Sequence, residues 1–307
     1  MKINDKILLI HNGALGDFLM AWPALWSLKQ NLPERTFYWA GKKDYELWTR
    51  PLGILSCPPA QKMALLQLYR EADRPADLAG FHIIRFGLIR PDLTDFGPDF
   101  WFLPGVVPGR FISLTHVFAK ALMEKGVGFD DQWPSKFRRL FCGGMSPGKG
   151  KTALIFSGSG HRAKRWPLVQ FLELAAWLQK QGLCPVFVLG PVERERGTLV
   201  QGFDVLRPDD LPALQEALGR ARLVVGNDCG PMHLAGMLGL PGLVLFGPTS
   251  VRQWGPVGLR TLSRDIPCRP CTQTTADLDC DNPVCLLELE QQAVRAALAQ
   301  VIEESAA

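Results

Sequence analysis

The sequence predicts an α/β protein built from two doubly wound, Rossmann-like domains. Three observations carry the prediction. The chain has 307 residues, about twice the common domain size of roughly 150. Short apolar runs alternate with stretches of helical periodicity along most of it. Near the middle, Cys142 to Lys151 combines four glycines, a proline, a serine and two lysines with few apolar residues, the composition of a linker. The domain boundary is set there, giving an N-terminal domain over 1–147 and a C-terminal domain over 148–307.

The first half opens with a strand over Ile7 to Ile10 and a glycine-containing turn. The helix that follows has Phe18, Ala21, Trp22, Leu25 and Leu28 at helical spacing. Arg35 to Ala40, Phe81 to Phe86 and Trp101 to Leu103 read as later strands. Helices are expected near Ala64 to Arg70 and Ser113 to Glu124. Beyond the linker, strands at Thr152 to Phe156, Cys184 to Leu189, Arg222 to Val225 and Gly242 to Phe246 alternate with helices. One helix begins at Pro167 and carries Leu168, Phe171, Leu172, Ala175 and Leu178 on one face. A C-terminal helix groups Val294, Ala297, Leu298 and Val301 and is expected to pack across the domains. Such alternation implies parallel sheets covered on both faces, with ligands bound beyond the carboxyl ends of the strands. Two such domains are expected to face a central cleft.

Composition narrows the class. Apolar residues make up 47% and charged residues 21%, the balance of a folded globular chain rather than a disordered one. The net charge of +4 is spread along the chain without the dense basic stripe of a nucleic-acid binder, so no nucleic-acid partner is expected. The apolar run near the N-terminus is too short for a signal peptide core or a membrane span. A cytoplasmic location is expected, compatible with peripheral contact at the inner membrane.

Three loops carry the chemistry. Gly13-Ala14-Leu15-Gly16-Asp17 joins a strand to a helix. A carboxylate near a helix start is favoured by the helix dipole, so Asp17 reads either as a cap or as a general base. Its glycines do not form the dinucleotide-binding G-x-G-x-x-G pattern. The second loop runs from Ser157 to Trp166 and offers Ser157, Ser159, small glycines and the cationic His161, Arg162, Lys164 and Arg165. It is either a solvated loop or a cradle for an anionic diphosphate. In the third, Gly226-Asn227-Asp228-Cys229-Gly230-Pro231-Met232-His233 leads a strand into a helix whose start can receive a phosphate. Asp228 reads as a cap or a ribose partner, and His233 as a core residue or a phosphate donor. Phe246-Gly247-Pro248-Thr249 closes the next strand with a turn whose hydroxyl can face the same ligand.

Taken together, these motifs resemble glycosyltransferase family nine, the ADP-heptose:lipopolysaccharide heptosyltransferases. The resemblance rests on Leu15-Gly16-Asp17, Lys164-Arg165-Trp166-Pro167, Asp228-x-Gly230-Pro231-Met232-His233, Phe246-Gly247-Pro248-Thr249 and Trp254-Gly255-Pro256. It implies a GT-B type fold and inverting transfer of a heptose from ADP-heptose to a lipopolysaccharide core or related acceptor, lipid-linked or soluble. Asp17 matches the general base and Lys164 the contact to the donor phosphates. Asp228, Gly230 and His233 match the segment around nucleotide and sugar, and Glu193 a carboxylate near the ribose. With Ser157, Ser159, Cys229 and Thr249 these form the expected donor site, while His11 and Gly13 are the expected acceptor side.

Three positions depart from the family pattern. His11 replaces Arg or Lys and Gly13 replaces Ser, which bears on acceptor recognition. Cys229 replaces Ser or Thr, exchanging a hydroxyl for a weak thiol donor. No Asp-x-Asp clamp is present in the motifs, and no catalytic metal is expected. A nucleotide-sugar epimerase of the same architecture, or a related transferase with another donor or acceptor, is the alternative. An epimerase would convert its sugar without an acceptor.

Of the eight cysteines, Cys57, Cys142, Cys184 and Cys229 are isolated and read as reduced thiols. Cys268-x2-Cys271-x8-Cys280-x4-Cys285 is a cluster. Its spacing suits a closed structural zinc or iron site, although it is tighter between the second and third cysteines than in common zinc ribbons. Reduced thiols or one disulfide are the other readings.

Overall fold

A computed structural model describes residues 3–68, 75–89, 97–145 and 148–305 of the chain. It divides into two compact units, Met1–Trp133 and Pro134–Ala307. The sequence-based boundary lies some residues later. The helix Trp133–Phe141 belongs with the second unit because it buries Phe137 and Phe141 there. The Gln215 side chain donates to the Phe141 carbonyl at 3.2 Å and the Cys142 thiol to the Leu238 carbonyl at 3.4 Å.

The first unit holds strands β1 (Lys6–Ile10), β2 (Thr36–Trp39), β3 (Leu55–Ser56), β4 (Phe81–Gly87) and β5 (Phe100–Pro104). Its helices are α1 (Leu15–Asn31), α2 (Glu46–Thr49), α3 (Pro59–Leu68) and α4 (Leu114–Met123). The sheet order is β3-β2-β1-β4-β5 and every pairing is parallel. Neighbouring strands therefore need crossovers, which supply the covering helices. Residue 69 and residue 70 of the expected second helix lie outside the described residues. The core gathers around α1, where Phe18 stacks on Tyr45 at 4.4 Å and meets Trp39 edge-on. The Trp22 indole donates to the Trp48 carbonyl at 2.9 Å, which gives a buried polar atom its partner.

The second unit holds α5 (Trp133–Phe141), β6 (Thr152–Phe156), α6 (Leu168–Lys180), β7 (Cys184–Val188), α7 (Pro191–Glu195), β8 (Asp204–Leu206) and α8 (Leu211–Arg220). It continues with β9 (Leu223–Asn227), α9 (Gly230–Leu238), β10 (Gly242–Phe246), α10 (Val251–Trp254), β11 (Arg260–Ser263), α11 (Val284–Leu287) and α12 (Gln291–Glu304). Its parallel sheet runs β11-β10-β9-β6-β7-β8. All five residues of β9 and of β10 are buried, the signature of strands covered on both faces. The C-terminal helix α12 stays with this unit: Val294, Leu298 and Val301 pack in one core with Phe171 and Leu174 of α6 and Leu243 and Leu245 of β10. Its apolar face is filled by its own sheet and by α6.

In each sheet the strand order reverses beside its first strand. The reversal falls between β1 and β4 in the first unit and between β6 and β9 in the second. Such switch points open a crevice at the carboxyl ends of the strands. The loops after β1, β6 and β9 are the ones that carry the motifs.

Candidate functional site

In the first unit, β1 ends one residue before His11 and α1 starts at Leu15, so Asp17 occupies the third position of the helix. Its Oδ2 accepts the backbone N–H of Ala14 at 3.0 Å, satisfying a donor that the helix start would otherwise leave open. The cap role is thus real, and it uses one oxygen of a carboxylate that has two. Asp17 is partly exposed. His11 lies behind it, only 3% exposed and ringed by Phe18, Tyr45 and Phe86. Burial, and then the charge of Lys42, push its imidazole down to about 4, so it is neutral at ordinary pH. The Tyr45 hydroxyl donates to the Gly13 carbonyl at 3.1 Å. Burial, followed by the charges of Asp17 and Asp44, raises the Tyr45 phenol above its usual range.

Gly13 is small for a reason. A Cβ there would stand 2.8 Å from His11 Cε1 and 2.9 Å from Asp17 Oδ2. Position 13 is therefore confined from two sides, by the His11 ring and by the Asp17 side chain.

In the second unit, the β6 and β9 loops meet through Asn227, which has no exposed surface. Its side-chain N–H donates to the Ser157 carbonyl at 2.7 Å and its oxygen accepts the Trp166 N–H at 2.9 Å. The Ser159 hydroxyl donates to the Asp228 carbonyl at 3.1 Å. This stitching delivers Lys164 to Asp228, with Nζ 2.7 Å from Oδ2. Thr249, at the β10 turn, donates its hydroxyl to the same oxygen at 2.8 Å. Lys164, Asp228 and Thr249 thus form one buried network at the switch point, with side-chain exposures of 14% and 5% for the ion pair.

Cys229, not Asp228, is the N-cap of α9. It makes no side-chain cap hydrogen bond, and burial followed by the Asp228 charge raises its thiol to about 12. Gly230 opens the helix, placing the positive end of its dipole beside the network. His233, one turn in, is buried and pushed down to about 4 by desolvation, with Asp228 and Lys164 acting in opposite directions.

A pocket of about 320 Å³ lies beside β6 and β7, lined by Ser157, Gly158, Trp166, Glu193 and Thr198 among others. Glu193 accepts the Gly190 N–H at 3.1 Å. Gly158 leaves the space its carboxylate fills, since a Cβ at 158 would run into Glu193. Sequence reasoning named Asn227 only as part of a motif and did not assign its bridging role. An amide at the end of a strand carries no signal of what it spans.

Cys268, Cys271 and Cys280 lie in the long segment between β11 and α11, and Cys285 lies in α11 itself. All four thiols are free; Cys268 and Cys271 are exposed and Cys285 is buried. The Cys271 thiol donates to the Cys268 carbonyl at 2.8 Å. Among the described residues, no three His, Cys, Asp or Glu side chains are gathered in a set able to hold a metal ion. The thiols as arranged do not form a preformed ligand cage.

Fold and site together define a two-unit α/β protein of GT-B type, with a carboxylate at a helix start in one unit and a cation-bearing network at a helix start in the other. Residues 128–280 match the model of glycosyltransferase family 9 (heptosyltransferase). The chain is 33% identical to lipopolysaccharide heptosyltransferase 1 of Pseudomonas aeruginosa over 48% of each protein. It is 24% identical to lipopolysaccharide heptosyltransferase 1 of Escherichia coli over 89% of this chain and 95% of that one. In fold it is similar to an E. coli heptosyltransferase solved with ADP, with a TM-score of 0.66 and 18% identity over 96% of this chain and 99% of that one. This chain belongs to glycosyltransferase family 9 and is a transferase enzyme. Among the described residues, no helix is long and apolar enough to cross a membrane.

Proposed function

We propose that this enzyme transfers a heptose from ADP-heptose to a lipopolysaccharide core or related glycan acceptor in a single inverting displacement. The observation that carries the reading is the Lys164–Asp228–Thr249 network at the start of α9. An ammonium has three donors. Asp228 orients one, leaving others for a departing diphosphate, and the helix start adds fixed positive potential where charge develops. The neighbouring pocket has the size and polarity to hold a nucleoside, with Glu193 as the partner of ribose hydroxyls. Asp17 takes the proton from the attacking acceptor hydroxyl. One displacement needs no covalent enzyme intermediate, as in inverting glycosidases, and a diphosphate leaving group stabilised by Lys164 and the helix start needs no second carboxylate to protonate it. The reading includes a cytoplasmic reaction with at most peripheral membrane contact.

Titration calorimetry with ADP, UDP and GDP tests the donor half. Preferential ADP binding that is weakened in Lys164→Ala supports it; no nucleoside diphosphate binding removes it. A structural zinc or iron at Cys268, Cys271, Cys280 and Cys285 is a separate proposal that requires the thiols to draw together. About one zinc or iron per chain, in protein purified without a tag or added metal, supports it. Substoichiometric metal with four titratable thiols removes it.

A further inference from the structure

Arg269 lies inside the cysteine-rich segment, between Cys268 and Cys271, and is half-buried. Among the described residues, none of its hydrogen bonds goes to a carboxylate. Its guanidinium instead donates to three backbone carbonyls: Nε to Gly247, Nη1 to Arg264 at 2.8 Å and Nη2 to Thr249 at 3.2 Å. The rigid fork of an arginine thereby grips both sides of Pro248 in the β10 turn. The Cys271 N–H donates to the Pro248 carbonyl at 2.9 Å, and Thr249 bridges Thr272 in parallel register. Further along, the side chains of Gln253 and Trp254 both donate to the Gln273 carbonyl, at 3.1 and 3.0 Å. Gly247 itself is confined, because a Cβ there would stand 2.6 Å from Leu286 Cδ1 and 3.2 Å from the Ala163 carbonyl.

We infer that Arg269 is a positioning residue for the nucleotide-sugar site, acting through Thr249 on Asp228 and Lys164. The path is continuous. Arg269 fixes the Thr249 backbone, the Thr249 hydroxyl holds Asp228 Oδ2, and the same oxygen holds Lys164 Nζ. The cysteine-rich segment is thus the outer wall of the β10 turn. A buried carbonyl left without its donor must find another partner, so loss of Arg269 lets the turn shift and carries Thr249 with it. The inference rests on the donor-site reading above for its ligand, but its internal coupling does not.

The test uses full-length Arg269→Gln, Arg269→Lys, Thr249→Val and the Arg269→Gln/Thr249→Val double variant. ADP affinity, the KM values for donor and acceptor, and hydrogen exchange of residues 247–254 are the readouts. Arg269→Gln is expected to weaken ADP binding and raise the donor KM by about tenfold, the scale of one lost charge-assisted hydrogen bond, with the acceptor KM unchanged. Arg269→Lys recovers part of the loss. The double variant loses less than the sum of the single losses, because both act on one path. Exchange over 247–254 speeds up in Arg269→Gln without ligand. Wild-type affinity in Arg269→Gln, fully additive losses, or unchanged exchange would each overturn the inference. If wild-type protein binds no ADP, the donor reading fails, and the exchange measurement alone still decides whether Arg269 holds the turn.

Discussion

Lys164 and Asp228, 64 residues apart in sequence, meet at 2.7 Å with the aspartate almost wholly buried and Thr249 bonded to the same oxygen. A buried ion pair of this kind gains little over an apolar pair, but losing one member strands the other. Its place at the switch point of a parallel sheet is what the proposed role in ligand handling requires.

Asp228→Asn keeps the shape and removes the charge. It is expected to destabilise the second unit by about 3 kcal/mol, since Lys164 is left without its counter-charge. Lys164→Met in the Asp228→Asn background should return part of that stability without restoring nucleotide binding. Thermal unfolding and calorimetry on the wild type and the two variants check both points, and a double variant no more stable than Asp228→Asn contradicts the pairing.

Asp17→Asn retains an oxygen that can accept the Ala14 N–H, so the helix start and the donor site stay intact. Turnover is expected to fall by about two to four powers of ten, the usual contribution of a positioned base. Near-wild-type turnover removes Asp17 from the mechanism.

Gly13→Ala should lower turnover by about ten- to hundredfold, because its Cβ pushes on the Asp17 carboxylate and on His11. Removing the ring in His11→Ala/Gly13→Ala relieves one of the two clashes and should restore part of the rate. Equal activity of Gly13→Ala and wild type shows that the crowding is absorbed elsewhere.

His11 and His233 both sit near pKa 4 in the folded protein against 6.5 in an unfolded chain. Between those values the unfolded state binds more protons, so stability falls as pH drops from about 6.5 toward 4. Each histidine contributes a loss on the order of 3 kcal/mol once pH is below 4. The dependence of melting temperature on pH should be shallower in His11→Asn and in His233→Asn. Unchanged slopes would mean that the acid sensitivity comes from carboxylates instead.

The strand-turn-helix unit at Ile7 to Leu28 and the strands at Thr152 and Gly242 were legible because their apolar residues are contiguous or at helical spacing and are buried as that spacing requires. The edge strands β3 and β8 were not. β3 has two exposed residues and β8 begins on an exposed aspartate, so neither shows an apolar pattern. The unit boundary was displaced because the glycines after Phe141 are conspicuous, while the choice of α5 between the two units is decided by where Phe137 and Phe141 find a core. The candidate site residues were visible as loop motifs. Their pairing was not, since Lys164, Asp228 and Thr249 are joined by strand order and not by spacing. Arg269 was hidden among cysteines that attracted a metal reading, and nothing in the local sequence signals a side chain spent on three carbonyls.

The most direct test of the account is transfer itself. The wild-type enzyme is incubated with ADP-heptose and, separately, other nucleotide-sugars, with and without lipopolysaccharide core fragments, and products are read by mass. The account predicts an acceptor heavier by one heptose and release of ADP only when acceptor is present. Conversion of the nucleotide-sugar without acceptor, or transfer from other donors but not from ADP-heptose, would contradict it.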